Sequence, residues 1–255
     1  MSEPTKTGGA KPAMGDGDGP LKKFYAAATV GPLDGYGDKA TVLLDGRPLR
    51  TPNRAPLAVP PRIAEVMAAE WHGQDTHILP ETMPVTRIAN TAIDGVATAF
   101  DQVAEDVVAF AGNDLVYYRA DRPEGLVAAQ KAHWDPVLRS AEARFGVALT
   151  TTVGVMPVTQ DGALAAAVRG ALPSTALDLA ALHQLTTLTG SALIALWVAD
   201  GGLQFAAAWA AAHVDEDWNI KEWGEDAEAA ERRARRERDA EAAAFILAES
   251  RRSTP

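Results

Sequence analysis

The sequence contains no cysteine. That excludes disulfides, thiolate metal sites and cysteine nucleophiles. Long apolar runs are also missing. The most apolar stretch, Ser191 to Ala199, falls far short of the roughly 20 residues that cross a bilayer and reads as a buried helix. Met1 to Pro20 has neither the apolar core of a signal peptide nor the Arg-rich amphipathic pattern of an organellar presequence. The expectation is a chain made and kept in a bacterial-type cytoplasm. Basic charge is not in excess. The formal net charge is −10, which argues against phosphate-driven nucleic-acid binding. The one basic run, Arg232 to Arg238, is interleaved with acids at helical spacing and reads as a solvated helix face.

Catalytic signatures are absent as well. There is no GxGxxG after a strand, no Walker-type loop, no GxSxG elbow and no HExxH. The 21 glycines fall at breaks and near the N-terminus. What is present is ordinary for a globular chain: 47% hydrophobic and 23% charged residues over 255 positions, enough to bury a sizeable core.

Residues 1–20 are rich in Gly, Pro, Lys and Asp and read as a disordered tail. Phe24 to Val30 reads as a first strand, Thr41 to Leu44 as a second, and Arg47 to Thr51 as its partner across an Asp45-Gly46 hairpin turn. Pro52, Pro56, Pro60 and Pro61 keep these strands short or at an edge. Pro61 suits the first turn of a helix that carries Ile63, Val66, Met67 and Trp71 and stops at Gly73.

Beyond a linker at Thr82 to Pro84 the chain reads as helical. Leu115 to Tyr118 is expected to be extended. Leu126 to Phe145 is expected to be a long helix kinked or divided at Asp135-Pro136. Val153 to Val158 is read as a short strand or irregular. Helices follow over Ala163 to Ala171, from Pro173-Ser174-Thr175 to Gly190-Ser191, and over Leu193 to Val198. Phe205 to Trp218 is expected to be one helix. A last one runs from about Glu225 to Ala248, with sparse apolar positions that suit projection or coverage of an edge. The fold class is therefore α+β, with a β-rich N-terminal domain with one helix (residues 21–82) followed by a larger helical domain (residues 83–255).

The most unusual local feature is His213-Val214-Asp215-Glu216-Asp217-Trp218, followed by Glu222-Trp223-Gly224-Glu225-Asp226. Three readings fit it. The acids can be a solvated helix end placed for the helix dipole. They can form an acidic patch rimmed by tryptophan that docks a basic or partly exposed partner surface. They can also perform acid–base chemistry. His213 and Asp217, four apart on one helix, have the spacing of two metal ligands; a metal-dependent hydrolase would use His213, Glu216 and Asp217. Trp71, beside Glu70, reads either as packing between the β unit and the helices or as a contact residue.

Several stretches together resemble one family. They are Leu43-Leu44-Asp45-Gly46-Arg47-Pro48-Leu49-Arg50-Thr51-Pro52, then Ala69-Glu70-Trp71, then Met83-Pro84-Val85-Thr86-Arg87-Ile88-Ala89-Asn90-Thr91-Ala92-Ile93-Asp94. Asp114-Leu115, Tyr118-Arg119-Ala120, Trp134-Asp135-Pro136, Leu188-Thr189-Gly190-Ser191, Asp215-Glu216-Asp217-Trp218-Asn219 and Trp223-Gly224-Glu225-Asp226 follow in order. This set resembles the chaperones that assemble the catalytic head of F-type ATP synthase by binding its alpha subunit. The resemblance implies a non-enzymatic role with the alpha subunit as partner and no cofactor or metal. It places the functional acid at Glu216, with Asp215 as its near alternative. Asp217, Trp218 and Trp223 complete the partner-binding set, and Trp71, Arg87, Asn90 and Asp94 have structural or interface roles. Trp218 and Asn219 stand where other members have other aromatics and glutamine. An adaptor for a different protein is the remaining alternative.

Overall fold

The computed structural model describes residues 21–252; the segment read as a disordered tail lies outside them. The architecture is α+β, as the sequence predicts. A three-stranded antiparallel sheet is built from β1 (Ala28–Pro32), β2 (Ala40–Leu44) and β3 (Arg47–Pro48) in that order. Asp45 and Gly46 both take positive φ, 48° and 79°, as the tight hairpin requires. The Asp45 carboxylate also accepts the N–H groups of Ala26 and Ala27, which fixes the chain entering β1. The first strand starts later than the sequence suggests. The third is only two residues long, although the Leu49 N–H just beyond it still donates to the Val42 carbonyl at 2.8 Å. Helix α1 (Pro61–His72) lies on this sheet and buries Ile63, Ala64, Met67 and Ala68.

A 3₁₀ turn at Pro80–Thr82 leads into α2 (Pro84–Thr91), which continues as a π-helical turn over Ala92–Val96. Helix α3 (Phe100–Gly112) follows. Leu115–Tyr117, expected to be extended, is instead a 3₁₀ turn. The side chain of Asp114 accepts the Val116 N–H at 3.3 Å and the Tyr117 hydroxyl donates to the Ala111 carbonyl at 2.8 Å, so local side-chain bonds wind the segment up. Only β4 (Tyr118–Arg119) is extended, and it pairs in parallel with β5 (Thr152–Val153).

Helix α4 (Glu124–Phe145) runs through Pro136 as one element, so the division expected there does not occur. Proline inside a helix costs about 3 kcal/mol. Here Trp134 and Val137 flank it, both buried, and the Trp134 indole N–H donates to the Ala211 carbonyl at 2.7 Å. Burying two such side chains is worth several kcal/mol, enough to hold the helix in register.

Helices α5 (Gly162–Gly170), α6 (Ala176–Thr189) and α7 (Ala192–Ala199) follow. The stretch expected as one helix from Phe205 to Trp218 is two: α8 (Phe205–Ala212) and α9 (Val214–Trp223). His213 makes the break. Its Nδ1 sits 2.8 Å from the Trp209 carbonyl, the acceptor that its own backbone N–H would use in a continuous helix. The side chain takes that acceptor, and the backbone N–H turns to Ala210 instead.

Helix α10 (Ala227–Arg252) does not project. Its second half buries Ala240, Ala242, Ala243, Ala244, Ile246 and Leu247, and it packs against α6. Alanines supply little hydropathy, so the sequence looks sparse; their small volume is what lets the two backbones approach. Buried apolar residues from Tyr25 to Leu247 join in one connected core. Among the described residues no helix is long and apolar enough to cross a membrane.

Candidate functional site

The acidic cluster occupies the first turn of α9, where three carboxylates face the positive end of the helix dipole. The structure gives each a different neighbour. Asp215 accepts from the Gln130 amide at 2.7 Å, and the Gln130 carbonyl oxygen accepts the Ala120 N–H. This carboxylate therefore ties α9 to α4 and to the chain after β4. Asp217 pairs with Arg233 of α10 at 2.5 Å. Glu216 stands 3.9 Å from the His213 Nε2 and makes no shorter hydrogen bond or ion pair among the described residues. Of the three, Glu216 is the one whose charge is least committed inside the fold.

His213 is buried, with its ring against Trp209. Burial pushes its imidazole below the ordinary histidine range; the Trp209 carbonyl opposes this, Arg233 and Arg236 reinforce it and Glu216 opposes it. Because Nδ1 donates to a carbonyl, the neutral ring carries its proton there and turns a bare Nε2 toward Glu216. His213, Glu216 and Asp217 do not converge, since Asp217 turns to Arg233. Among the described residues no group of three or more His, Asp or Glu side chains is placed to hold a metal ion.

The two tryptophans differ as well. Trp218 lies against Gly125, where an added Cβ would come within 2.3 Å of the indole, and Lys221 sits over its ring. It is a wedge between α9 and α4. Trp223, at the end of α9, is 86% exposed. Gly224 follows with φ of 90° and turns the chain toward α10. Trp223, Ile220, Glu216, Asp226 and Arg233 line a cleft of about 420 Å³ between the two helices.

The second group of sequence-predicted residues stitches the sheet to the helices. Glu70, beside Trp71, reaches the start of α2 and accepts the N–H groups of Val85 at 2.7 Å and Thr86 at 2.8 Å, with the Thr86 hydroxyl at 2.7 Å. It is an N-terminal cap supplied from another helix. Burial holds its carboxyl above the ordinary range, and those three bonds together with the Arg87 charge offset this only in part. Arg87 pairs with Asp239 of α10. Asp94 accepts from the Thr51 hydroxyl at 2.6 Å and the Asn53 N–H at 3.0 Å. Trp71 packs on Tyr25, whose hydroxyl donates to the Trp71 carbonyl at 2.6 Å. Trp71 Nε1, Arg87 Nε and Asn90 Oδ1 are buried without a hydrogen-bond partner among the described residues.

Gln130 and Asp239 were not singled out from the sequence, and Glu70 was named only as the neighbour of Trp71, with no role of its own. Their partners lie 15, 85 and 152 positions away, so no local spacing reveals them. The one available signal was the Glu70-Trp71 pairing itself.

Residues 22–142 match the model of the ATP12 chaperone protein family. The Atu1473 protein of Agrobacterium tumefaciens, described as a candidate chaperone, superposes with a TM-score of 0.83 and 45% sequence identity, covering 89% of this chain and 85% of that one. Atp12 of Paracoccus denitrificans superposes with a TM-score of 0.80 and 37% identity, covering 89% of this chain and 97% of that one. An aspartate-to-lysine variant of the same Paracoccus protein gives the same figures. With relatives this similar over nearly their whole length, the chain is a member of the ATP12 chaperone family.

Proposed function

We propose that this protein is an assembly chaperone that binds the unassembled alpha subunit of the ATP synthase catalytic head, shields it until its neighbours arrive, and does so without catalysing a reaction. The observation that carries this reading is the likeness to Atp12 over 89% of the chain. The physics fits. A subunit without its neighbours exposes a large apolar contact surface, and such patches drive association. A chaperone must cover that surface and then let go, so moderate affinity serves better than the tightest binding.

Glu216 and Trp223 supply the docking face. An exposed indole beside an uncommitted carboxylate, on the rim of one cleft, offers an aromatic anchor and a charge at the same place. Asp215, Asp217 and Trp218 support that face from within, and Trp71, Arg87, Asn90 and Asp94 hold the scaffold behind it. The test is direct. Purified chain is mixed with isolated alpha subunit, light scattering follows aggregation, and size-exclusion chromatography follows complex formation. The reading predicts a co-eluting complex and suppressed scattering. Alpha subunit that aggregates at its own rate and elutes alone would refute it.

A further inference from the structure

The β2–β3 hairpin and the turn after it concentrate charge of one sign. From Gly46 to Arg62 the chain has four arginines and no lysine, aspartate or glutamate, on a protein whose formal net charge is −10. Arg62 is neutralised by Glu65 at 2.6 Å. Arg47, Arg50 and Arg54 are exposed, and none of them is in an ion pair among the described residues. The Arg50 guanidinium donates to the Arg54 carbonyl at 3.0 Å, which keeps those two residues together. The carboxylates next to this stretch are spent elsewhere. Asp45 accepts the N–H groups of Ala26 and Ala27, and Asp94 accepts the Thr51 hydroxyl and the Asn53 N–H.

The loop that presents these cations is held stiffly. Thr51 is buried and pins it. Its N–H donates to the Ala55 carbonyl at 3.0 Å and its carbonyl accepts the Arg54 N–H at 2.8 Å. Its hydroxyl accepts the Ala55 N–H at 3.0 Å and donates to Asp94 at 2.6 Å. Pro48, Pro52 and Pro56 fix φ on either side. Within this turn Arg54 takes a φ of 65°, in the left-handed region that glycine enters freely and an arginine seldom does. Nothing inside the fold rewards an arginine there, because its side chain has no hydrogen bond, ion pair or ring contact among the described residues. A strained backbone that carries an exposed, unpartnered cation points to work done outside the fold.

We propose that Arg47, Arg50 and Arg54 form a second docking point, which takes a carboxylate-bearing surface of the protein partner. The cations are all arginine, whose planar fork matches a carboxylate in two parallel hydrogen bonds. A phosphate polymer is a poorer occupant. Binding driven by phosphates engages about 6–10 of them, and anionic membranes are gripped by clusters of about 4–8 basic residues. Three arginines on an acidic protein fall short of both. A cationic loop here and the acidic α9–α10 face elsewhere give the partner two contacts of opposite sign, which fixes its orientation as one contact cannot. This inference rests on the reading above that the partner is the isolated alpha subunit.

Two variants test it, R54G alone and R47E with R54E. Both positions are exposed and unpaired, so the double variant should melt within about 2 °C of wild type. R54G relieves the left-handed arginine and should melt at or above wild type. Binding to isolated alpha subunit is measured by titration calorimetry at low and high salt, and binding to phosphatidylglycerol vesicles by co-sedimentation. The proposal expects R54G to weaken alpha-subunit binding by about two- to fivefold and the double variant by about tenfold or more. Both losses should shrink as salt is raised, and wild type should leave the vesicles unbound. Wild-type affinity in both variants overturns the hairpin site and leaves the chaperone reading standing. Vesicle binding that the double variant loses, with alpha-subunit affinity unchanged, assigns the arginines to lipid and overturns the proposal. R54G that melts well below wild type gives the Arg54 side chain a role inside the fold and overturns it too. Wild type that fails to bind alpha subunit at all overturns both this inference and the chaperone reading.

Discussion

Asp114 gives this fold a pH dependence that can be worked out in advance. Its carboxyl is fully buried, and burial pushes it up to about 6 from 3.8, against the pull of the Ser191 hydroxyl and nearby backbone N–H groups. Those N–H groups belong to two elements. Val116 donates at 3.3 Å and Leu193 at 3.0 Å, so one side chain starts both the 3₁₀ turn after α3 and helix α7. Between about pH 4 and pH 6 the folded chain keeps a proton there that the unfolded chain has released. The folded state then binds more protons, so stability falls as pH rises through that window and is level in this group above it. The gap between the two values corresponds to roughly 3 kcal/mol. Asp114→Asn abolishes the titration. It also places an NH₂ against one of two N–H donors, which costs about 1–3 kcal/mol at every pH. Urea unfolding of both proteins across this range separates the two effects. The stability of wild type minus that of the variant should fall by roughly 3 kcal/mol from the acid to the neutral side, because other groups cancel in the difference. A difference that is flat with pH refutes the reasoning.

Glu216→Lys should weaken capture of isolated alpha subunit at an unchanged melting temperature, because the carboxylate is partly exposed and loosely held; Asp215→Ala should instead lose about 1–2 kcal/mol in urea unfolding by stripping the Gln130 amide of its acceptor. Trp71→Arg should lower stability by about 3 kcal/mol or more, since it removes a ring packed on Tyr25 and sets a charge in its place; an unchanged melting temperature would count against that packing role. Gly125→Ala should cost about 1–3 kcal/mol despite alanine's better helix propensity, because the new methyl must push the Trp218 indole aside. Near-ultraviolet circular dichroism should register the displaced ring.

Elements that rest on local chemistry were legible in the sequence. Asp45-Gly46 specifies its hairpin, Pro61 its helix start and Thr175 its cap, because the information lies within three or four residues. Elements decided by tertiary contact were not. Pro136 reads as a break until Trp134 is seen bonded to Ala211 across the core. His213 reads as mid-helix until its ring is seen to take the Trp209 carbonyl. The alanines of α10 read as a sparse face until α6 is placed against them. The acidic motif stood out as unusual, but its internal division did not, because Gln130 and Arg233 belong to other helices. Arg87 and Asp94 drew notice only through resemblance; their partners Asp239 and Thr51 show what their side chains do in the fold.

That division of the acids bears on how a partner could be held and released. Asp217 is already in an ion pair at 2.5 Å and Asp215 in a hydrogen bond at 2.7 Å. A partner cation that recruited either would first have to break an existing bond, and the displaced Arg233 or Gln130 would offset much of the gain. Glu216 gives up only a 3.9 Å approach to a neutral, buried imidazole. It can accept a cation with almost no internal loss, and solvent at the cleft rim keeps the resulting pair modest in strength. A modest, reversible charge contact beside an exposed indole suits a protein that must surrender its client to a tighter interface.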